Sequence, residues 1–175
     1  MERTLRPHLL VGLIAAAGAA AVISAATAPD ARADDFTDVI NAVDGDFAAG
    51  QTYFSEAVSD FGSNQDVDGL ASLFSGLNQD LLGAPISLVG GTVELLDNEP
   101  VDAAVGLGIS APTDFADGLS EAESLYTLGE SYLTVGETAF SSGEYGAGLI
   151  DTLFGADVVS VIPLEEILLG SVASL

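Results

Sequence analysis

Past Ala33 this 175-residue chain has no lysine, arginine, histidine, cysteine, tryptophan or methionine. Each absence removes a class of chemistry. Without Cys no disulfide can brace the chain, so an apolar core must hold it together. Without Lys or Arg there is nothing to neutralise phosphate, which argues against nucleic acid, against phosphate loops and against docking on an anionic membrane surface. Nucleophilic triads need a base such as His or Lys beside Ser or Cys, and neither base is present. Zinc, haem and iron-sulfur centres favour His and Cys ligands.

What is present is acid and hydrocarbon. Removing Glu2 and Asp30 from the 27 acidic residues leaves 25 carboxylates between Asp34 and Leu175. A disordered acidic tail would be poor in apolar residues. This chain is 49% hydrophobic, so it is expected to fold. Crowded carboxylates repel one another in the folded state, which raises their pKa values and makes the domain more stable near pH 5 than pH 8 at low salt.

The cationic residues Arg3, Arg6 and His8 precede an apolar run from Leu9 to Ala28, and Ala31-Arg32-Ala33 supplies small residues where a signal peptidase reads. The expected division is therefore a signal peptide over 1–33 and a single acidic domain over 34–175. An uncleaved anchor is the competing reading, since about 20 apolar residues can span a bilayer. The Ala/Gly-rich run and the Ala31-Arg32-Ala33 that follows it favour cleavage. The ending Ala31 to Asp35 resembles the signal peptides of exported mycobacterial and related actinobacterial proteins. That resemblance implies secretion or residence in the cell envelope, and no activity.

Apolar and small residues fall at Phe36, Ile40, Val43, Phe47, Gly50, Phe54, Ala57 and Phe61, alternating 4 and 3 apart. This is one stripe of a long helix. The series returns 79 residues later at Phe115, Leu119, Ala122, Tyr126, Gly129, Leu133, Gly136 and Phe140. Residues off the stripe match at the same displacement, at Asp38/Asp117, Tyr53/Tyr132 and Ser63/Ser142, and later at Gly91/Gly170 and Val93/Val172.

The expectation is an all-α, antiparallel helical bundle built from two tandem copies, 35–97 and 114–175, joined by a linker over 98–113. Each copy gives a long helix, a second helix, and a short apolar helix after a break marked by Pro85 or Pro163. In the first copy Leu70, Phe74, Leu77 and Leu81 carry the second helix's stripe, and in the second Leu149, Leu153 and Val158 do so. The linker holds Pro100, Gly106, Gly108 and Pro112, and Thr113 is placed to cap the next helix. Glycines on the stripes suggest close helix approach, or mere tolerance of glycine in a helix held by its neighbours.

Carboxylate chemistry is the remaining catalytic option, with Glu165-Glu166, Glu121/Glu123 or Asp44/Asp46 as nominal pairs. A solvated acidic face is the simpler meaning, so no catalytic residue is assigned. Asn64-Gln65-Asp66-Val67-Asp68-Gly69 resembles the first half of an EF-hand loop, which makes Asn64, Asp66 and Asp68 candidate ligands of a weak Ca2+ site. Ser75 stands where the bidentate Glu belongs, and helix capping by Asp66 or Asp68 is the plainer reading. Tyr126-x-x-x-Glu130 resembles a short export motif of a specialised mycobacterial secretion system, but it lies mid-helix.

The functional expectation is a non-enzymatic secreted or envelope protein acting through contacts with a protein partner or envelope component. Two alternatives are a carrier of an apolar or lipid ligand between the repeats, lined by 81–96 and 158–175, and weak divalent-cation binding by the acidic surface. Intact-mass measurement of the exported chain should find it starting at Asp34 and 142 residues long; a mass retaining residues 1–33 would establish an anchor instead.

Overall fold

The computed structural model describes residues 33–101 and 108–175. Residues 1–32 of the expected signal and Gly106 of the linker lie outside the described residues. The chain is all-helical, with no strand among the described residues: α1 (Ala33–Gly62), α2 (Asp66–Asn78), a π-helical turn (Gln79–Gly83), α3 (Ala84–Asp97), α4 (Phe115–Ser142), α5 (Tyr145–Ser160) and α6 (Ile162–Ala173).

The turns between helices form where the sequence offers left-handed residues. Asn64 takes φ 58° after α1, and the Gln65 N–H donates to the Asp60 carbonyl at 2.9 Å. Gly143 takes φ 90° after α4, and the Glu144 N–H donates to the Ala139 carbonyl at 3.0 Å. Both close the helix end by a bond from the residue after the left-handed one back across the last turn. At the start of α4 the cap is Asp114, one residue beyond the expected Thr113. Asp114 Oδ1 accepts from the Asp117 N–H at 2.9 Å, while the Thr113 N–H and hydroxyl both donate to Asp117 Oδ2.

Pro85 does not break the chain as expected. It sits in the first turn of α3, and the π turn carries α2 directly into it, with the Ala84 N–H donating to Gln79 O five residues back. In that wider register a carbonyl one turn before proline is taken by the residue after it, so the missing N–H leaves no gap. At Pro163 the interruption is a single residue, Val161, between α5 and α6. Each half of the chain is thus one straight helix and one kinked helix.

In each half the kinked helix lies along the straight one with contacts in opposite chain order. Gly69 lies against Phe61, Gly76 against Phe54 and Gly91 against Val39 in the first half; Gly148 against Phe140, Gly155 against Leu133 and Gly170 against Gly118 in the second. The halves meet through the kinked helices, α3 on α5 and α2 on α6. Gly90 lies against Ile150, Gly146 against Glu94, and the Asn78 amide donates to Glu165 at 2.8 Å. The helices α1 and α4 share no extensive packing.

The seams are not the stripes that apolar periodicity marks. Along α4 the buried residues are Gly118, Ala122, Gly129, Gly136 and Ala139, while Phe115, Leu119, Tyr126 and Phe140 of the expected stripe are exposed. Leu77 and Leu81 of the second helix are exposed too, whereas Ala71, Ser75 and Gly76 are buried. Small residues bring backbone against backbone, and the large ones are displaced to the flanks. The largest apolar cluster gathers Phe154, Val158 and Ile162 with Leu82, Ile109, Leu125 and Tyr132, and the Tyr132 ring stands edge-on to Phe154 at 4.6 Å.

A methyl group on Gly129 would meet the Val159 nitrogen at 2.8 Å and the Gly155 oxygen at 2.9 Å, both backbone atoms that cannot swing away. Gly129→Ala should therefore destabilise the fold by about 2 kcal/mol in urea titration, from overpacking. Gly62→Ala, with nothing within 4 Å, should be neutral or slightly stabilising.

Candidate functional site

The sequence-level metal candidates do not gather. Asn64, Asp66 and Asp68 are all exposed around the turn into α2, and Asp66 and Asp68 occupy its first turn, where their charge faces the positive helix end. Neither supplies the cap, which is Gln65 with no side-chain cap bond; its amide reaches Asp68 at 3.4 Å. Among the described residues no three His, Cys, Asp or Glu side chains are placed to hold a metal ion.

The carboxyls that stand out are elsewhere. Asp46, Glu94, Asp157 and Glu166 are buried at 0, 1, 6 and 1% exposure. Asp46 and Glu166 are one member each of the nominal catalytic pairs, whose partners Asp44 and Glu165 are exposed and half-buried; Glu121 is half-buried and Glu123 exposed. The acidic face is therefore not all solvated. Ser87 donates to Asp46 Oδ2 at 2.6 Å, and the Ser110 N–H donates to Glu166 Oε1 at 3.3 Å. Asp46 Oδ1, Gln79 Oε1, Asp80 Oδ1, Glu166 Oε2 and both oxygens of Asp157 have no hydrogen-bond partner among the described residues.

A buried carboxylate without a cation is driven toward its neutral form. Burial pushes Asp46 up to about 6 against the lowering effect of Ser87. Burial, then the neighbouring Glu165, pushes Asp157 up to about 6. Burial pushes Glu166 up to about 7, opposed by the Ser110 N–H and reinforced by Glu121, Glu165 and Asp117. Asp80 and Glu165 are raised by burial as well. The signal in the sequence was acid inside apolar runs with no basic residue anywhere to pair it.

Two corresponding places in the halves differ in polarity. Asp46, Ser75, Gln79 and Gly83 stand 79 residues before Leu125, Phe154, Val158 and Ile162, so the oily cluster of the second half has a polar counterpart in the first. Gly83 lets the Gln79 and Asp46 oxygens approach, since a methyl there would lie 2.6 Å and 3.3 Å from them.

The other feature is an apolar face. Neighbours cover two sectors of each kinked helix, the straight helix of its own half and the kinked helix of the other, in the same rotational order. Because the two kinked helices run in opposite directions, their uncovered sectors fall on one side of the molecule. That side carries Leu77, Leu81, Val89 and Leu96 from the first half and Leu153, Val161, Leu164 and Leu168 from the second, between 37 and 67% exposed. From Gly69 to Leu96 and from Gly146 to Leu175 every carboxylate is buried or half-buried. The exposed acids, among them Asp38, Asp44 and Glu56, Glu123, Glu130 and Glu137, are on α1 and α4.

No family model matches the chain, and no curated protein or solved structure matches it either.

Raised carboxyl pKa values mean that the folded chain holds protons the unfolded chain releases. Their stabilising contribution is full below the unfolded values of about 4 and is lost as pH rises through 6 to 7. The melting temperature should be higher at pH 5 than at pH 8, and Asp157→Asn with Glu166→Gln should flatten that dependence. Persistence of the full slope in the double variant would assign it to the exposed carboxylates, whose contribution salt screens more strongly.

Proposed function

We propose that this is a non-enzymatic exported protein, secreted or held in the cell envelope, that works by protein contact. It is an antiparallel helical bundle made of two tandem copies, 35–97 and 114–175. The observation that carries the contact reading is the apolar face of the kinked helices, kept clear of exposed carboxylate in a chain with 25 of them after Ala33. An exposed apolar face of several hundred Å² that is rimmed by polar residues marks an interaction surface. The duplication is supported by the glycine contacts: the pairs 69/61, 76/54 and 91/39 recur as 148/140, 155/133 and 170/118.

The carrier reading has less to rest on. The meeting surface of the halves is filled at Gly90 by Ile150 and at Gly146 by Glu94. An opening of about 190 Å³ beside it is lined by Glu94, Glu99, Pro100, Glu144 and Ala147, below the usual size of a ligand pocket and too acidic for lipid.

Chemical cross-linking in producing cells tests the contact reading. The unmodified chain should give a product above monomer mass. Leu81→Asp or Leu164→Asp should abolish it, and Val58→Asp, at an exposed site on α1, should leave it intact. A monomer-only pattern for the unmodified chain would end the reading.

A further inference from the structure

We propose that the occupant of the apolar face is a second copy of this chain, so that two copies associate face to face about a two-fold axis. This rests on the contact-making reading above and names its partner.

Three features of the molecule select a second copy. The first is size. The kinked helices span 66–97 and 145–173, which at 1.5 Å per residue makes a face about 45 Å long and two helices wide. That footprint approaches the roughly 800 Å² per partner of a stable protein interface.

The second is charge. A partner docking on α1 or α4 would need basic residues, and a second copy has none to offer after Arg32. On the apolar face none is required. Two copies meeting there turn their α1 and α4 acids away from each other, the arrangement of two strongly acidic chains with the least repulsion.

The third is geometry. Two helices from each copy complete a four-helix core, in which Leu81, Val89, Leu164 and Leu168 lose the water they face in the single chain. An isologous contact of this kind needs only a self-complementary aliphatic surface. Residual repulsion between the two acidic copies makes the association tighten with salt, the reverse of a contact held by ion pairs.

Sedimentation velocity of the full chain, with its N-terminus defined by mass, provides the test. The unmodified chain should be a dimer whose dissociation constant falls between low and high salt. Leu164→Asp should weaken it at least about 100-fold, as expected for a carboxylate buried in an apolar contact. Val58→Asp should not. Because an added carboxylate can also unfold a helix, a nitroxide on Leu164→Cys, the chain's only cysteine, gives a second readout. It should show dipolar coupling to its copy that dilution with unlabelled chain removes.

A monomer with no coupling at any salt overturns the proposal. If that monomer floats with zwitterionic phosphatidylcholine vesicles, the face belongs to lipid. If it cross-links to a different protein through the same leucines, the contact reading stands and the second copy does not.

Discussion

Backbone-to-backbone contact between helices is the constraint on which the rest of this fold depends. Where Gly129 meets Gly155 and Gly50 meets Gly76, no side chain separates the helices. Dispersion between closely packed backbones then does work that larger cores assign to leucine and phenylalanine. The large side chains are left along the flanks of the seams. Those between straight and kinked helices are partly covered, and those on the far side of the kinked helices are not. The apolar face is thus a result of how the helices pack, since a seam of small residues has no room for Leu81 or Leu164.

The same seams account for the titration behaviour. Close approach excludes water from Asp46, Asp157 and Glu166, and the chain past Arg32 holds no cation to meet them. A carboxyl group in that position is most stable with its proton on, as one more hydrogen-bonding neutral group. Ser87 and the Ser110 N–H serve Asp46 and Glu166 in this way, while Asp157 has no such partner among the described residues.

Much of the architecture was legible and its interior was not. Helix identity, the turns after Gly62 and Ser142 and the repeat spacing of 79 all follow from periodicity and turn residues. Periodicity weights a residue by its hydrophobicity, so it centred the stripes on Phe36, Ile40, Phe115 and Leu119. Packing weights a residue by how near it lets a neighbour come, and the seam turned toward Gly118 and Val39 instead. Pro85 read as a break because proline's missing N–H is judged against α-helical bonding, and the π turn changes that bonding. Acids such as Asp46 and Asp44 cannot be told apart by sequence, because two positions on one helix differ only in which neighbour they meet. The exposed apolar face was hidden for the same reason: Leu81 to Leu96 is apolar on every side, and only the placement of its neighbours shows which side is left over.

The polar counterpart of the oily cluster bears on the order of events in synthesis. Leu125, Phe154, Val158 and Ile162 give the second half a nucleus of its own, while Asp46, Ser75, Gln79 and Gly83 give the first half none of comparable strength. A chain threaded through a membrane from its N-terminus sends the weaker half through first. That half has little to collapse around until the second half follows, so the polypeptide stays extended for translocation without a chaperone to hold it open. The asymmetry between the two copies would then be a timing device, delaying folding until the last helix has crossed.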